Sequence, residues 1–289
     1  MRQILNLEDN TTVPILRNPQ IAQDEMESVF YFPGCGSERL FSEISMATLA
    51  MLFQANVQTV LPPGYLCCGY PQSSNGDQEK GRQISIDNQV LFHRIANTLN
   101  YLDIKTVIVS CGTCMDQLLK YQFSKIFPGC RLLDIHEYLL EKNMKLSQQT
   151  GTKYLYHDPC HTPMKHSNPV QVANQLLTSE VKLSDRCCGE AGTFALNRPD
   201  IATQVRYRKQ QELESGISEF NGETSVQDHS IKLLTSCPAC QQGLSRYEQA
   251  TGLETKYIVV ELAEHYLGAS WQDNFLEQIS QGGIERVLL

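Results

Sequence analysis

The chain has 289 residues, and its 24 Lys and Arg residues against 32 Asp and Glu residues give a net charge of -8 at pH 7. This balance argues against nucleic acid and anionic lipid surfaces as partners, since both attract positively charged proteins. No apolar run approaches the roughly 18 residues needed to span a bilayer, and the first residues do not resemble a signal peptide. We therefore expect a cytoplasmic protein without a transmembrane segment, whose cysteines are kept reduced.

The first part of the chain leads from a polar segment into a strand. Residues 1–27 are polar, with Pro14 and Pro19 interrupting short apolar pieces, which predicts an extended lead-in or linker. Residues 29–32 form a β-branched and aromatic run that stops just before Cys35. This pattern predicts a strand that ends in a turn and presents Cys35 at its end.

Helices and strands then alternate. The dense apolar stretch at 44–52 and the pattern at 79–102 predict two helices, separated by a loop that carries Cys67. Residues 106–110 predict a buried strand that runs directly into Cys111.

The second half repeats this order after a mostly polar segment at 142–153. A short strand precedes Cys160, and a strand at 231–236 enters Cys237. Alternation of strands and helices predicts the α/β class, with two similar lobes from an internal duplication, each a small, mostly parallel sheet flanked by helices. The expected units are a lead-in or linker at 1–27, a first domain at 28–146, a second domain at 147–270 and a C-terminal tail at 271–289.

Ten of the eleven cysteines form two copies of one pattern, a single Cys, then Cys-Cys-Gly, then Cys-x-x-Cys. The first copy contains Cys35, Cys67, Cys68, Cys111 and Cys114, and the second contains Cys160, Cys187, Cys188, Cys237 and Cys240. The offset is 125 positions for the single cysteine and 126 for both cysteines of the Cys-x-x-Cys pair. Because metals impose geometry on their ligands, these offsets predict a duplicated metal site in which all ten cysteines are ligands.

Five cysteines per copy favour a cluster of several metal atoms. Structural zinc takes four ligands and would leave one cysteine over. Adjacent cysteines, with Cα atoms about 3.8 Å apart, reach two metal atoms more easily than one, and iron-sulfur cores offer several metal vertices. Gly69 and Gly189 allow the backbone a positive φ beside such a core. Zinc held by four of each five cysteines and metal-free dithiol pairs remain the alternatives.

Other candidate groups have simpler interpretations. Cys130 has no counterpart in the second half and is expected to be a buried or incidental thiol. His157, His161 and His166 flank Cys160 and are expected to form supporting hydrogen bonds or to lie on the surface. No side chain is assigned a catalytic role, because no acid-base pair, Ser-His-Asp set or phosphate loop is present.

With both copies laid out, the chain resembles the CCG, or cysteine-rich, domain family, typified by the B subunit of heterodisulfide reductase. The segments that carry the resemblance are Phe32-Pro33-Gly34-Cys35, Cys67-Cys68-Gly69-Tyr70-Pro71, Ser110-Cys111-Gly112-Thr113-Cys114, His157-Asp158-Pro159-Cys160-His161, Cys187-Cys188-Gly189-Glu190-Ala191-Gly192 and Ser236-Cys237-Pro238-Ala239-Cys240. The resemblance implies two noncubane four-iron (4Fe-4S) clusters, each held by five cysteines, in a protein that passes electrons between a flavin-linked chain and a disulfide or quinone-type acceptor.

The chain is also similar to the C-terminal region of bacterial FAD-linked oxidoreductases of the D-lactate and glycolate dehydrogenase type, including its closing residues 282–288. It lacks the ferredoxin run of four cysteines and a glycine-rich dinucleotide fingerprint. The resemblance therefore implies that FAD and a ferredoxin-type segment belong to a partner domain or subunit, through which peripheral membrane association could arise.

These observations support three hypotheses. The first is an iron-sulfur electron-transfer module of a flavin-linked oxidoreductase. The second is the catalytic subunit of a disulfide or heterodisulfide reductase. The third is an interaction module stabilised by zinc.

Overall fold

The computed structural model describes residues 1–190, 194–228 and 230–289, and builds them around two separate sheets. The strands are β1 (Thr12–Leu16), β2 (Glu27–Phe32), β3 (Val57–Val60), β4 (Ile104–Val109), β5 (Arg131–Asp134), β6 (Lys153–His157), β7 (Val181–Ser184), β8 (Ile231–Thr235), β9 (Glu254–Tyr257) and β10 (Ile284–Leu288). The α-helices are α1 (Ser42–Gln54), α2 (Tyr70–Ser74), α3 (Gln78–Thr98), α4 (Gly112–Leu118), α5 (Phe123–Ile126), α6 (Ile135–Glu141), α7 (Pro169–Leu177), α8 (Phe194–Asn197), α9 (Pro199–Asn221), α10 (Pro238–Leu244), α11 (Glu248–Thr251), α12 (Ile258–Leu267) and α13 (Trp271–Ser280).

The two halves have the same sheet order. The first sheet contains the run β3-β2-β4-β5 and the second is β7-β6-β8-β9, and all neighbours within these runs are parallel. Helices connect successive strands, as parallel pairing requires. This confirms the prediction of an α/β protein with two similar lobes.

The first sheet is extended by the two ends of the chain. The strand β1 pairs antiparallel with β3 and with β10, in the register Thr12 opposite Leu288. The sequence predicts a lead-in or linker over residues 1–27, whereas Val13 and Ile15 are fully buried in this sheet. Pro14 lies just outside the β1–β3 register, which covers Ile15 and Leu16, and its carbonyl accepts a hydrogen bond from the Leu61 N–H at 2.9 Å. The domain boundaries at 28, 147 and 271 stay predictions.

Apolar side chains of both lobes pack together. The helix α1 of the first lobe packs against α12 of the second, and buried side chains of both helices belong to the same hydrophobic cluster. Because α1 is covered on several sides, ten of its thirteen residues are buried. This packing brings the carboxyl ends of the central strands of both sheets toward each other.

Every central strand ends just before a cysteine. The strand β2 ends three residues before Cys35 and β4 two residues before Cys111, and β6 and β8 end likewise before Cys160 and Cys237. The expected position of the cysteines at strand ends is therefore confirmed. Within the described residues, no helix is both long enough and apolar enough to cross a membrane.

Candidate metal centres

Local backbone structure presents the first set of cysteines. Cys35 precedes a single π-helical turn at Gly36–Leu40, and Cys111 is the extended N-cap residue of α4, which carries Cys114 in its first turn. Cys67 and Cys68 lie on a loop that ends at Gly69, whose φ of 87° is left-handed. The Gly69 N–H donates to Cys67 Sγ at 3.5 Å. Glycine is needed here because other residues rarely adopt this conformation.

The five thiols of the first copy form a connected group. Cys35 Sγ and Cys67 Sγ are 3.9 Å apart. The Cys68 thiol contacts those of Cys67 and Cys114, and Cys114 in turn contacts Cys111. Cys68, Cys111 and Cys114 are buried, while Cys35 and Cys67 are half-buried.

The second copy is similar but more open. Cys188 Sγ lies 3.4 Å from Cys240 Sγ, and both thiols have a further neighbour, Cys187 and Cys237 respectively. Cys160 is exposed and within electrostatic range of Cys187, which is also exposed. The structure thus links four of the five predicted ligands by thiol contacts and leaves Cys160 at the outer edge.

The two sites adjoin. The thiols of Cys111 and Cys237, one from each copy, lie close enough for each to shift the pKa of the other. Beside them, the buried Tyr257 hydroxyl is 2.7 Å from the carbonyl oxygen of Ser110 and 2.8 Å from that of Ser236. The sequence pattern predicts two sites but contains no signal for this contact between them.

Backbone packing also interlocks the sites. A Cβ atom on Gly112 would lie 1.5 Å from the carbonyl oxygen of His161. The reciprocal contact, between the residues after Cys35 and Cys237, is looser, since a Cβ on Gly36 would lie 3.0 Å from the Cβ of Pro238. Each copy therefore presses the residue after its single cysteine against the Cys-x-x-Cys helix of the other copy.

His161 connects the copies through its side chain as well. Its Nε2 atom is 3.0 Å from the Tyr70 hydroxyl, and its Nδ1 atom is 2.5 Å from Asp116 Oδ2. Lys165 pairs with the same carboxylate at 2.7 Å. Tyr70 and Asp116 come from the first copy, so sequence reasoning, which expects a supporting or surface role for His161, identifies neither partner.

Within each group of thiols, the pKa is lowered for some cysteines and raised for their neighbours. Hydrogen bonds from Cys35 and Cys68 lower the pKa of Cys67 to about 3, and the Cys67 hydrogen bond and burial raise the pKa of Cys35. In the second copy, hydrogen bonds from Cys187 and Cys240 lower the pKa of Cys188. So many sulfur atoms at these separations can all be ionised only with positive charge among them. The donor set therefore fits a multinuclear cationic core.

The remaining candidate residues have separate surroundings. Cys130 is half-buried, and burial raises its pKa to about 11. His166 is exposed, and its backbone N–H donates to Glu137 Oε1 at 2.8 Å. The last two residues of the Cys187–Gly192 motif, Ala191 and Gly192, lie outside the described residues.

Comparison with known proteins adds two family matches. A family model described as a cysteine-rich domain (CCG) matches residues 29–119 and 154–245, so it covers both copies of the cysteine pattern. A second model, described as a domain of unknown function (DUF3400), matches residues 245–289.

Three curated relatives are similar over most of the chain. An uncharacterized iron-sulfur protein of Methanococcus maripaludis is 23% identical over 84% of this chain and 47% of its own length. A probable glycolate oxidase iron-sulfur subunit of Bacillus subtilis is 26% identical over 84% and 54% respectively. One subunit of the fumarate reductase (CoM/CoB) of Methanothermobacter marburgensis is 24% identical over 81% and 45%. The chain spans about half the length of these relatives.

Proposed function

The chain belongs to the cysteine-rich domain (CCG) family, and from this premise we propose that it is an iron-sulfur electron-transfer module of a flavin-linked oxidoreductase. The observation that carries the proposal is the proximity of the Cys111 and Cys237 thiols, because it makes the two sulfur-rich sites neighbours. Structural zinc would use four thiolates at each site and leave the fifth cysteine over.

The ten paired cysteines are the proposed ligands of two four-iron clusters of the noncubane type. Each copy supplies five thiolates, and the adjacent pairs suit a core with several metal vertices. Gly34 supports this assignment, since a Cβ at this position would lie 2.6 Å from Cys114 Sγ. The backbone therefore approaches the sulfur more closely than any side chain allows. Iron-sulfur clusters supply one-electron redox chemistry when bound.

The protein's own residues would insulate and connect the two sites. Buried Cys68, Cys111 and Cys114 keep water from the inner side of the first site. The Gly69 and Gly189 N–H groups donate to Cys67 Sγ and Cys187 Sγ, which stabilises negative charge on sulfur. Tyr257 fixes the strand ends beside Cys111 and Cys237 and so holds the two sites at a constant separation.

The flavin is proposed to lie on a partner domain or subunit. Two relatives are named as glycolate oxidase iron-sulfur subunits, those of Bacillus subtilis and Escherichia coli. Three others are named lactate utilization protein A or A 2. These names favour oxidation of a 2-hydroxy acid such as glycolate or lactate at the partner's flavin, with a ferredoxin-type segment between flavin and this module.

Anaerobic reconstitution tests the proposal. The full chain, incubated with ferrous iron and sulfide and then desalted, should retain about eight iron atoms for two four-iron clusters, with visible absorption that bleaches on reduction. Cys130→Ser is the matched control and should retain the same amount of iron. Retention of zinc without sulfide, or of no metal, would contradict the proposal.

A further inference from the structure

The two copies differ at the last residue of the strand that precedes the single cysteine. In the first copy this residue is Phe32, three positions before Cys35, and in the second it is His157, three positions before Cys160. Both residues end the central strand of their parallel sheet, β2 and β6. Both side chains are buried, so the difference lies inside the protein.

The surroundings of Phe32 are apolar. Its ring packs edge-on against Phe92 of α3, with the ring centroids 6.0 Å apart. It belongs to the same buried cluster as Cys68, Cys111 and Cys114. On this side, the first site is therefore bounded by a group that offers the sulfur atoms no hydrogen bond.

His157 presents a polar ring in the equivalent place. It is 1% exposed, and neither ring nitrogen makes a hydrogen bond of regular geometry in the described part of the chain, although the ring lies close enough to the Cys188 thiol to interact with it. One ring nitrogen, Cys188 Sγ and Cys240 Sγ all lie within 4.8 Å of one another. A buried imidazole without a hydrogen-bond partner is costly. Because the ring lies beside these two sulfur atoms, we expect them to accept its hydrogen bond.

We propose that His157 is a positioning residue of the second site, which donates its ring N–H to the sulfur atoms of Cys188 and Cys240 when these hold an iron-sulfur cluster. An imidazole carries at least one N–H in either protonation state, so the donor is always present. Hydrogen bonds to cluster sulfurs favour the more negative, reduced state and raise the reduction potential. The inference rests on the proposed function. It gives the second site the higher reduction potential, so that this site is reduced first.

Substitutions that exchange the two residues test the inference in the full, reconstituted chain. His157→Phe copies the first site, His157→Gln keeps an N–H donor, and Phe32→His introduces an imidazole at the first site. His166→Gln is the matched control, since it removes an exposed imidazole from the loop that follows β6. The readouts are iron and sulfide content, the two midpoint potentials in a redox titration, and the electron paramagnetic resonance spectrum.

We expect His157→Phe to lower one midpoint while iron content and the other midpoint stay unchanged. His157→Gln should lower the same midpoint less, and Phe32→His should raise the other. The control should match the wild type. Unchanged midpoints in a fully loaded His157→Phe protein would overturn the role of His157 while leaving the proposed function intact.

Two further outcomes would also overturn the inference. Loss of second-site iron from both His157 variants, but not from the control, would make the residue essential for folding or metal ligation. A direct iron-nitrogen coupling in the wild-type spectrum would make it a ligand. Failure of the wild type itself to bind iron would instead contradict the proposed function, so the two failures are distinguishable.

Discussion

The two sulfur sites have the same cysteine pattern but different surroundings. The first site is bordered by the buried aromatic rings of Phe32 and Phe92, whereas the second site has buried His157 and buried Lys209. A shared metal core would constrain the positions of its proposed cysteine ligands, but not the identities of the residues around them. The comparison shows that a duplicated site can keep its cysteine pattern while its two copies have different electrostatic environments.

The largest expected effect separates the two sites by metal content. Cys114→Ser and Cys240→Ser each remove one buried proposed ligand. Each should lower the amount of bound iron by about half, because the five proposed ligands of the other copy are intact. Iron and sulfide determination on the reconstituted proteins measures the loss. If either substitution removes all the iron, assembly of the two neighbouring sites is coupled, and they can no longer be compared as independent units.

The sequence predicts the lobes better than their association. Hydrophobic runs such as 106–110 are local signals, so the buried strand that leads into Cys111 is confirmed by β4. The pairing of β1 with β10 joins residues at opposite ends of the chain. Neither short segment has a sequence pattern that predicts which strand it pairs with. A tertiary contact of this kind is set by the packed surfaces of both lobes, which a single sequence does not display.

The same limit applies within the candidate site. Repeated offsets group the ten cysteines, but nothing in the spacing indicates that Cys111 meets Cys237. The sequence also treats His161 as one of several histidines near a turn. Its bonds to Tyr70 and Asp116 depend on the first copy packing against the second.

The next effect concerns the two backbone contacts between the copies, of which the one at Gly112 is tighter than the one at Gly36. Gly112→Ala would place a methyl group 1.5 Å from the His161 carbonyl, whereas Gly36→Ala would place one 3.0 Å from Pro238. We expect Gly112→Ala to lower the free energy of unfolding by about 3 kcal/mol or more, and Gly36→Ala by about 1 kcal/mol, as overpacking costs depend on how far neighbours can shift. Urea unfolding of the metal-free, reduced protein measures both. Equal losses would show that the two interlocks are equally tight.

A smaller effect is expected where one hydroxyl spans both copies. Tyr257→Phe removes the donor shared by the Ser110 and Ser236 carbonyl oxygens. The Ser37 hydroxyl also donates to Ser110, at 3.0 Å, so the loss falls mainly on the second copy. We expect a cost of about 1–2 kcal/mol in the same urea experiment. Tyr156→Phe, whose hydroxyl bonds Ser236 Oγ within one copy, is the control.

The smallest effect is a pH dependence specific to the second copy. Lys209 is fully buried on α9, where its ammonium donates to Ser184 O at 3.1 Å and Ser184 Oγ at 2.6 Å, and pairs with Glu212 at 3.1 Å. Burial lowers the pKa of Lys209 from its ordinary value of 10.5, although Glu212 opposes the shift. Between the lowered pKa and 10.5, the unfolded chain binds more protons than the folded one, so folding stability rises with pH.

Lys209→Met should remove this contribution. Urea titrations at increasing alkaline pH measure the unfolding free energies of the wild type and the variant. The wild type should become more stable relative to the variant as the pH rises, and the difference should level off above pH 10.5. Taking the difference cancels the titration of the thiols common to both proteins. Lys80→Met removes the same charge from the exposed surface of α3 and should leave the slope unchanged. If the unfolding free energy of Lys209→Met rises with pH as steeply as that of the wild type, the buried ammonium does not distinguish the second copy from the first.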